Sequence, residues 1–434
     1  MRTRILRGRL LWFVDDPFTM GDAPSHRYAP DGALLVADGR IAAAGEAQDV
    51  LAQAPAGTHV DDHRPHLILP GFIDTHIHFP QTHVIASYGE QLLDWLNRYT
   101  FVEEQKYADP AHAARQAQFF CDELLRQGTT TAVVYSSVHA AATEALFVAA
   151  AGRGMRIAAG KVMMDRNAPE ALRDTPEEGY RESKALIARW HGRGRAQYVI
   201  SPRFAITSTE AQLEAAGTLL REHPDCLAQT HMSENLGEIA AVRSLFPGMA
   251  DYSSVYERFG LLSPRTLLGH CIHLAPEEWD RLAAQGAVAV HCPTSNLFIG
   301  SGLFDFAAAL DRARPVRLSL ATDVGGGTSY SMLRTAAEAY KVAQLRGFNL
   351  SPFAALHLMT RGNALAMGLD GVIGSFAPGA EADAVVLDSH AIPALAHRME
   401  TVRDLAEELF ALITLGDERC VRATYVMGEL ANPP

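Results

Sequence analysis

The sequence has no cluster of lysine and arginine, and its 434 residues carry a formal net charge of −12. An acidic chain without a basic stripe is a poor ligand for polyanions, so we expect no nucleic-acid partner. No apolar run approaches the ~20 residues that a membrane-spanning helix needs, so we expect no membrane insertion either. The five cysteines are scattered and form no Cys-X-X-Cys pair, which favours buried, reduced thiols in a cytoplasmic protein.

The two ends of the chain share a pattern of short strands and turns. Near the start, Asp38-Gly39 between two apolar runs predicts a hairpin. Near the other end, residues 384–387 and 423–427 are apolar runs typical of strands. We therefore expect residues 1–68 and 372–434 to form one small β-sandwich domain built from both termini.

Between these ends, short apolar runs alternate with longer helical stretches. Eight runs are candidate strands: Leu67–Leu69, Thr130–Val134, Arg156–Ala159, Tyr198–Ile200, Cys226–Ala228, Thr266–Leu268, Ala287–Val290 and Val316–Leu320. Apolar strands separated by helices indicate a parallel sheet buried on both faces, and eight such units predict an α/β fold, a (β/α)8 TIM barrel over residues 69–371. An open doubly wound sheet is the alternative, but no Gly-X-Gly-X-X-Gly motif opens a helix after the first strand.

Residues that can bind metal follow these strands. His76 and His78 are two apart, so in an extended segment they point to the same side and can chelate one ion. Two surface histidines are the alternative explanation of that pair. His231, His270 and Asp323 each follow a predicted strand at its C-terminal end, where barrel enzymes keep their active sites. Histidines with one carboxylate suit zinc, and they also suit iron or manganese.

Glu234 follows His231 by three residues, so it can approach a bound metal without ligating it. A carboxylate beside a metal-activated water is a natural proton shuttle for hydrolysis. The alternative is a glutamate at a helix start, favoured there by the macrodipole. The neighbouring histidine favours the shuttle.

The segment Pro70–His78 resembles the opening signature of the amidohydrolase superfamily. His231, His270 and Asp323 complete the pattern of its single-metal deaminases, and the resemblance covers nearly the whole chain. Residues 374–384 are similar to the superfamily's return to the small β domain, but Ala380 and Glu381 depart from the usual residues there.

Five segments further resemble the guanine deaminase family: His76–Gln81, Tyr88–Leu96, Ser201–Phe204, Thr230–Asn235 and His291–Leu297. The resemblance implies a zinc-dependent aminohydrolase that converts guanine to xanthine, as a cytoplasmic homodimer with one zinc ion per chain. It implies that the metal ligands are His76, His78, His231 and Asp323. It implies Glu234, His270 and Asp323 as catalytic residues, and substrate contacts from His78, Gln81, Arg203, Phe204, His231, Glu234 and Asp323.

Guanine chemistry is compatible with these assignments. Zinc can lower the pKa of a bound water to roughly 7, Glu234 could protonate the ring nitrogen next to C2, and Asp323 could take the proton of the water. His270 could steady the tetrahedral centre. The Arg203 guanidinium could recognise O6 and N7, which are paired acceptors, while Gln81 matches a lactam edge and Phe204 stacks on the ring. A surface ion pair for Arg203 and core packing for Phe204 are the alternatives.

Two other functions are compatible with the same fold. A sister aminohydrolase acting on oxidised guanine, a pterin or a triazine would have the same metal site. A scaffold of this fold without catalysis would not need the complete set of His76, His78, His231, Glu234, His270 and Asp323. The remaining histidines near strand ends are predicted to pack or to support the ligands, with His291 favoured as a supporting partner; they are His83, His139, His273 and His291.

Overall fold

The computed structural model describes residues 2–89 and 91–432. Its strands are β1 (Thr3–Phe13), β2 (His26–Ala37), β3 (Arg40–Glu46), β4 (His59–Pro70), β5 (Phe72–His78), β6 (Thr129–Tyr135), β7 (Arg156–Gly160), β8 (Val162–Met163), β9 (Gln197–Pro202), β10 (Leu227–Met232), β11 (Thr266–His270), β12 (Val288–His291), β13 (Arg317–Leu320), β14 (Ala384–Leu387), β15 (Val421–Val426) and β16 (Glu429–Asn432).

The α-helices are α1 (Pro17–Met20), α2 (Asp22–Ser25), α3 (Ala47–Gln53), α4 (Leu92–Trp95), α5 (Phe101–Glu104), α6 (Pro110–Arg126), α7 (Ala140–Ala151), α8 (Pro176–Trp190), α9 (Glu210–Glu222), α10 (Leu236–Leu245), α11 (Tyr252–Arg258), α12 (Pro276–Gln285), α13 (Pro293–Phe298), α14 (Phe306–Ala309), α15 (Met332–Leu345), α16 (Pro352–Leu358), α17 (Arg361–Ala366), α18 (Pro393–Met399) and α19 (Leu405–Leu415). A π-helical turn, Leu96–Thr100, joins α4 to α5. Within the described ranges, no helix is both long and apolar enough to cross a bilayer.

Both ends of the chain meet in one seven-stranded sheet with the order β16-β15-β14-β4-β1-β2-β3. The predicted hairpin is confirmed, because β2 and β3 pair antiparallel around a turn at Asp38 and Gly39, whose φ angles are +48° and +81°. Left-handed conformations at both positions define the type I′ turn that tight hairpins favour. The predicted small β unit from both termini is therefore present. Its strands lie in residues 3–70 and 384–432, and the division at 68/69 and 371/372 stays a prediction.

Eight parallel strands form the second sheet, in the order β13-β12-β11-β10-β9-β7-β6-β5, with β8 beside β9. Each strand except β13 is buried along almost its whole length, as strands covered on both faces must be. Apolar side chains such as Ile73, Val133 and Val199 fill the interior. The TIM barrel is confirmed, and the open doubly wound sheet is wrong.

One of the eight predicted strands was placed wrongly. The run Leu67–Leu69 belongs to β4 of the terminal sheet, where Ile68 pairs with Leu10 on one side and with Val386 on the other. The first barrel strand is β5, which begins two residues after β4 ends. Only Gly71 separates the two strands, and a Cβ there would lie 2.3 Å from Thr130 Oγ1. Two apolar strands joined by one residue look like a single run in the sequence.

The barrel closes between β5 and β13, and we call this junction the seam. Asn363, on α17 and fully buried, donates from Nδ2 to the carbonyl oxygens of Ile73 (2.6 Å) and Leu320 (2.7 Å). Its Oδ1 accepts from the Leu320 amide at 3.0 Å. Beyond it, the Asp323 amide donates to the His76 carbonyl at 2.9 Å. One amide side chain therefore bridges the first and last barrel strands.

A buried ion-pair network joins the barrel to the terminal sheet and explains the departure at Glu381. Its carboxylate accepts from Arg156 Nε at 3.1 Å and from Arg195 Nε at 2.9 Å. Arg195 also pairs with Asp383. Arg156 begins β7 and Arg195 lies just before β9. These two arginines require an acidic partner at position 381, where the chain returns to the terminal sheet.

The seam gives a stability prediction. Asn363→Ala removes three buried hydrogen bonds and leaves the Leu320 amide and the Ile73 carbonyl without these partners. We therefore expect the free energy of unfolding to fall by about 2–5 kcal/mol. Urea and thermal unfolding of both proteins would measure it. The control is Asn97→Ala, an exposed asparagine whose Nδ2 donates to the Leu93 carbonyl, with an expected loss below about 0.5 kcal/mol. Equal losses in the two variants would contradict the role of Asn363 in closing the barrel.

Candidate active site

Five side chains converge at the C-terminal end of the barrel. His76 and His78 end β5, His231 lies in β10, His270 ends β11, and Asp323 follows β13 by three residues. All five are at most 8% exposed. The structure thus brings together every residue that the sequence placed after a strand as a metal candidate.

Asp323 lies at the centre of this group. Its Oδ1 is 3.4 Å from His76 Nε2 and 3.3 Å from His78 Nε2. His78 Nε2 is also 3.1 Å from His231 Nε2. The other carboxylate oxygen of Asp323, Oδ2, lies 3.8 Å from His270 Nε2. The group therefore has two sides, with His76 and His78 at one carboxylate oxygen and His270 at the other.

The donor atoms fit a divalent metal ion. One ligand atom from each of His76, His231, His270 and Asp323 lies within 4.8 Å of all the others. Among the described residues, both ring nitrogens of His76 are buried without a hydrogen-bond partner, an arrangement that is costly without a cation. His231 Nδ1 donates to the Arg203 carbonyl at 2.7 Å, which leaves its Nε2 lone pair free for a metal.

Electrostatics keep this group ready to bind a cation. Burial lowers the pKa of His76, lowers that of His78 to about 4, and lowers that of His231 well below its usual value, so the rings stay neutral. Burial opposes the charge of Asp323 too, but the nearby rings of His76 and His78, 3.4 and 3.3 Å away, hold its pKa well below the usual range. Neutral imidazoles and an ionised carboxylate are the protonation states that metal binding needs.

Glu234 lies at the edge of the group, between β10 and α10. Its Oε2 is 3.4 Å from His270 Nε2, and its Oε1 accepts from the Ser301 hydroxyl at 3.0 Å. Burial, with the nearby Asp323 charge, raises the pKa of Glu234 to about 8. The helix itself starts two residues later, with Asn235 as its cap. The alternative of a helix-start glutamate is therefore wrong.

The backbone around these residues is held in an uncommon conformation. The φ angles of Ser233, His270, Cys271 and Asp323 are +52°, +73°, +50° and +51°. Residues with side chains rarely adopt this region, and such strain concentrates at functional sites. The His76 ring also lies close to the backbone of β11, since a Cβ on Gly269 would lie 2.5 Å from His76 Cε1.

The predicted substrate contacts line one cavity together with the proposed metal-binding side chains. It is lined by His78, Gln81, Leu92, Trp95, Leu96, Arg203, Phe204, His231, Glu234, His270, Ser295, Ile299, Asp323 and Gly326. Arg203 is 3% exposed and Phe204 4%, so the surface ion pair is wrong for Arg203, and Phe204 lies at a pocket wall.

Residues 92–96 of the segment Tyr88–Leu96 border the cavity. Leu92, Trp95 and Leu96 line it, whereas Tyr88 is 71% exposed. Gln91 Oε1 accepts from Asn235 Nδ2 at 2.9 Å, which ties this segment to the residue after Glu234. Glu90, within the same segment, lies outside the described residues.

Three functional candidates escaped the sequence analysis. Glu104 accepts from Gln81 Nε2 at 2.9 Å and from Arg203 Nη1 at 2.9 Å, although it is 23 and 99 positions away from them in sequence. Ser301 contacts Glu234, and Asn296 Oδ1 accepts from His270 Nδ1 at 2.8 Å. Asn296 lies in the segment 291–297 that carries the resemblance, whereas no motif marked Glu104 or Ser301.

The other histidines stay outside the metal group. His291 stacks on Phe304 with ring centroids 4.7 Å apart, and neither of its ring nitrogens has a partner among the described residues. It packs rather than supporting a ligand, so its favoured role was wrong. His83 pairs with Glu103, and His273 Nε2 donates to the Ser301 carbonyl. His273 thereby holds the residue that contacts Glu234, whereas His139 precedes α7.

Comparisons with known proteins agree with this geometry. A family model described as the amidohydrolase family matches residues 67–431. A guanine deaminase of Escherichia coli (strain K12) is 46% identical over 417 residues, which are 96% of this chain and 94% of that protein. A crystal structure of guanine deaminase from Bradyrhizobium japonicum superposes with a TM-score of 0.96 at 40% identity, covering all of both chains.

A third relative has a ligand. The crystal structure of guanine deaminase from C. acetobutylicum with bound guanine in the active site has a TM-score of 0.88 at 28% identity, covering 99% of each chain. Family model, sequence and structure therefore agree over nearly the whole length. The chain belongs to the amidohydrolase family and, within it, to the guanine deaminases.

Proposed function

We propose that this chain catalyses the hydrolytic deamination of guanine, in which guanine and water give xanthine and ammonia. The observation that carries the proposal is one buried cavity that joins a metal-binding group, a proton-carrying glutamate and a pair of lactam-recognising side chains. Gln81, Arg203 and Glu234 all line that cavity with His231 and Asp323. Each part is needed for a deaminase specific for an oxo-purine.

His76, His78, His231 and Asp323 are the proposed ligands of one metal ion per chain. His76 and His78 share the Oδ1 side of Asp323, and His231 Nε2 lies beside His78 Nε2. His270 is not assigned as a metal ligand, because it lies on the Oδ2 side of Asp323, closer to Glu234. A divalent ion bound there supplies Lewis acidity and lowers the pKa of water, which makes hydrolysis feasible near neutral pH.

Three side chains can move the protons of the reaction. Glu234, with its pKa raised to about 8, holds a proton at neutral pH and can deliver it to the ring nitrogen next to C2. Asp323, which stays ionised, can accept a proton from the incoming water. His270 lies between the two carboxylates, within 3.4 Å of Glu234 and 3.8 Å of Asp323, and can hydrogen-bond the tetrahedral centre.

Recognition of the purine falls to the opposite wall of the cavity. Arg203 uses Nη1 on Glu104, so the rest of its guanidinium is available for acceptors such as O6 and N7. Gln81 offers an amide for the lactam edge, and Phe204 offers a ring face. An oxidised guanine keeps that lactam edge, whereas a triazine lacks the purine imidazole ring.

Three finer assignments belong to this proposal. Zinc is the proposed metal because three imidazoles and a carboxylate match its usual ligands, although iron or manganese would accept the same set. A homodimer and a cytoplasmic location rest on the family resemblance. Metal analysis of the purified protein, sedimentation and fractionation of cells would test them in turn.

Removal of metal should abolish ammonia release from guanine, and zinc should restore it. The matching variant is His76→Ala, which we expect to lose bound metal because it removes one of the four proposed ligands. The control is His291→Gln, a buried histidine at the end of β12 whose ring packs on Phe304 and Phe306, and it should retain about one metal per chain. Full activity in metal-free protein would contradict the site.

Glu234→Gln tests the proton shuttle. The amide keeps the size of the side chain but cannot carry the proton, so kcat for guanine should fall by about 100- to 10,000-fold. Metal content should not change, because Glu234 is not a proposed ligand. Steady-state kinetics with metal analysis would show both. A variant with near-normal kcat would mean that another group moves the proton.

Arg203→Lys tests recognition of the purine. A point charge replaces a planar fork, so kcat/KM for guanine should fall by the equivalent of about 2–4 kcal/mol. For 2-aminopurine, which keeps the C2 amine but lacks O6, the loss should be much smaller. Arg265→Lys is the control, because within the described part of the chain its guanidinium donates only to the backbone carbonyls of Asp225 and Cys226. Equal losses on both purines would show that Arg203 supports the site without recognising O6.

A further inference from the structure

Glu104 is a buried carboxylate between the two side chains that face the purine. It is 1% exposed and lies at the end of α5. Its Oε1 accepts from Gln81 Nε2 and from Arg203 Nη1, both at 2.9 Å, and its Oε2 accepts from Arg203 Nη1 at 2.9 Å. No role in the proposed chemistry uses this residue, although it contacts both recognition groups.

The chemistry of a carboxylate fixes the amide of Gln81. An ionised carboxylate only accepts hydrogen bonds, so the amide must turn its NH2 group toward Glu104 and its carbonyl oxygen away. That oxygen lies against Gly325, whose φ is +126° and where a Cβ would come within 2.0 Å of Gln81 Oε1. The glycine leaves room for the end of the Gln81 side chain, and the hydrogen bond to Glu104 decides that its oxygen lies there.

The same carboxylate fixes Arg203. A guanidinium that is 3% exposed needs a counter-charge, and Glu104 supplies it at one nitrogen. The Phe101 ring, with its centroid 5.5 Å from Arg203 Cζ, supports the guanidinium from another side. Within the described residues, no hydrogen bond is made by Arg203 Nη2 or Nε, so these donors remain for a ligand in the cavity.

We propose that Glu104 is a specificity-determining positioning residue, which makes the pocket present an acceptor, Gln81 Oε1, beside donors from Arg203. This pattern complements a lactam edge, where N1–H is a donor and O6 an acceptor. It opposes an amidine edge, where N1 is an acceptor and the C6 amine a donor. The inference rests on the proposed function for its catalytic meaning, but binding alone can test it.

Hypoxanthine and adenine are suitable probes because they differ at this edge and both lack a C2 amine. Titration calorimetry on the metal-loaded protein should show tighter binding of hypoxanthine than of adenine. In Glu104→Gln the side chain can also donate a hydrogen bond, so the Gln81 amide can turn over. The dissociation constant of adenine divided by that of hypoxanthine should then fall at least about tenfold. A general loosening of the site would weaken both purines and leave the ratio unchanged.

The neighbouring residue provides a matched control. Glu103 lies on the same helix and is also buried, but it pairs with His83 and Lys106 and contacts neither recognition residue. In Glu103→Gln the ratio should stay within about twofold of the wild type. A ratio that falls equally in both variants, or that does not fall in folded Glu104→Gln, would overturn the proposal.

A second variant covers the case in which Glu104→Gln does not fold. Glu104→Asp keeps the charge for Arg203 but is one methylene shorter, so it cannot reach Gln81 and Arg203 together. The ratio should fall in this variant as well. A folded Glu104→Asp that prefers hypoxanthine over adenine as strongly as the wild type does would overturn the proposal. Ammonia release from guanine by the wild type is measured separately: its absence would refute the proposed function, whereas the binding ratio decides the role of Glu104.

Discussion

The active site depends on one junction, where the first and last barrel strands meet. His76 and His78 come from the strand that opens the barrel, and Asp323 follows the strand that closes it, nearly 250 residues later. Asn363 holds the two strands together through three buried hydrogen bonds, and the Asp323 amide donates to the His76 carbonyl just above them. The carboxylate can lie between the histidines only while this junction is closed.

Around that junction, the protein separates two electrostatic environments within one cavity. On the metal side, burial keeps the imidazoles neutral and raises the pKa of Glu234, so a proton is available beside an ionised Asp323. On the opposite side, the charge of Arg203 is balanced by Glu104. Chemistry and recognition therefore use separate carboxylates.

The sequence was most informative where a residue's role depends on its own strand. The spacing of His76 and His78, and the positions of His231, His270 and Asp323 after apolar runs, were enough to predict both the barrel and its metal group. The strand Leu67–Leu69 was misassigned because β4 and β5 are separated by one glycine, and local pattern carries no information about which sheet a strand joins.

Roles that depend on contacts between distant elements could not be predicted in this way. Glu104 looks like any other glutamate in an acidic stretch, and only its burial between Gln81 and Arg203 gives it a role. His291 showed the opposite error: it lies at a strand end like the ligands, but its ring packs on Phe304 instead. Side-chain direction and long-range packing, which a linear pattern does not contain, decided both cases.

The terminal sheet also sets the order in which the protein can be completed during synthesis. β4 has β1 as one neighbour, but its other neighbour, β14, is translated more than 300 residues later. At ribosomal speeds of about 5–20 residues per second, that edge stays unpaired for roughly 15 to 60 seconds. An open strand edge can pair with other chains. The nascent chain must therefore be protected from association until β14 (Ala384–Leu387) emerges.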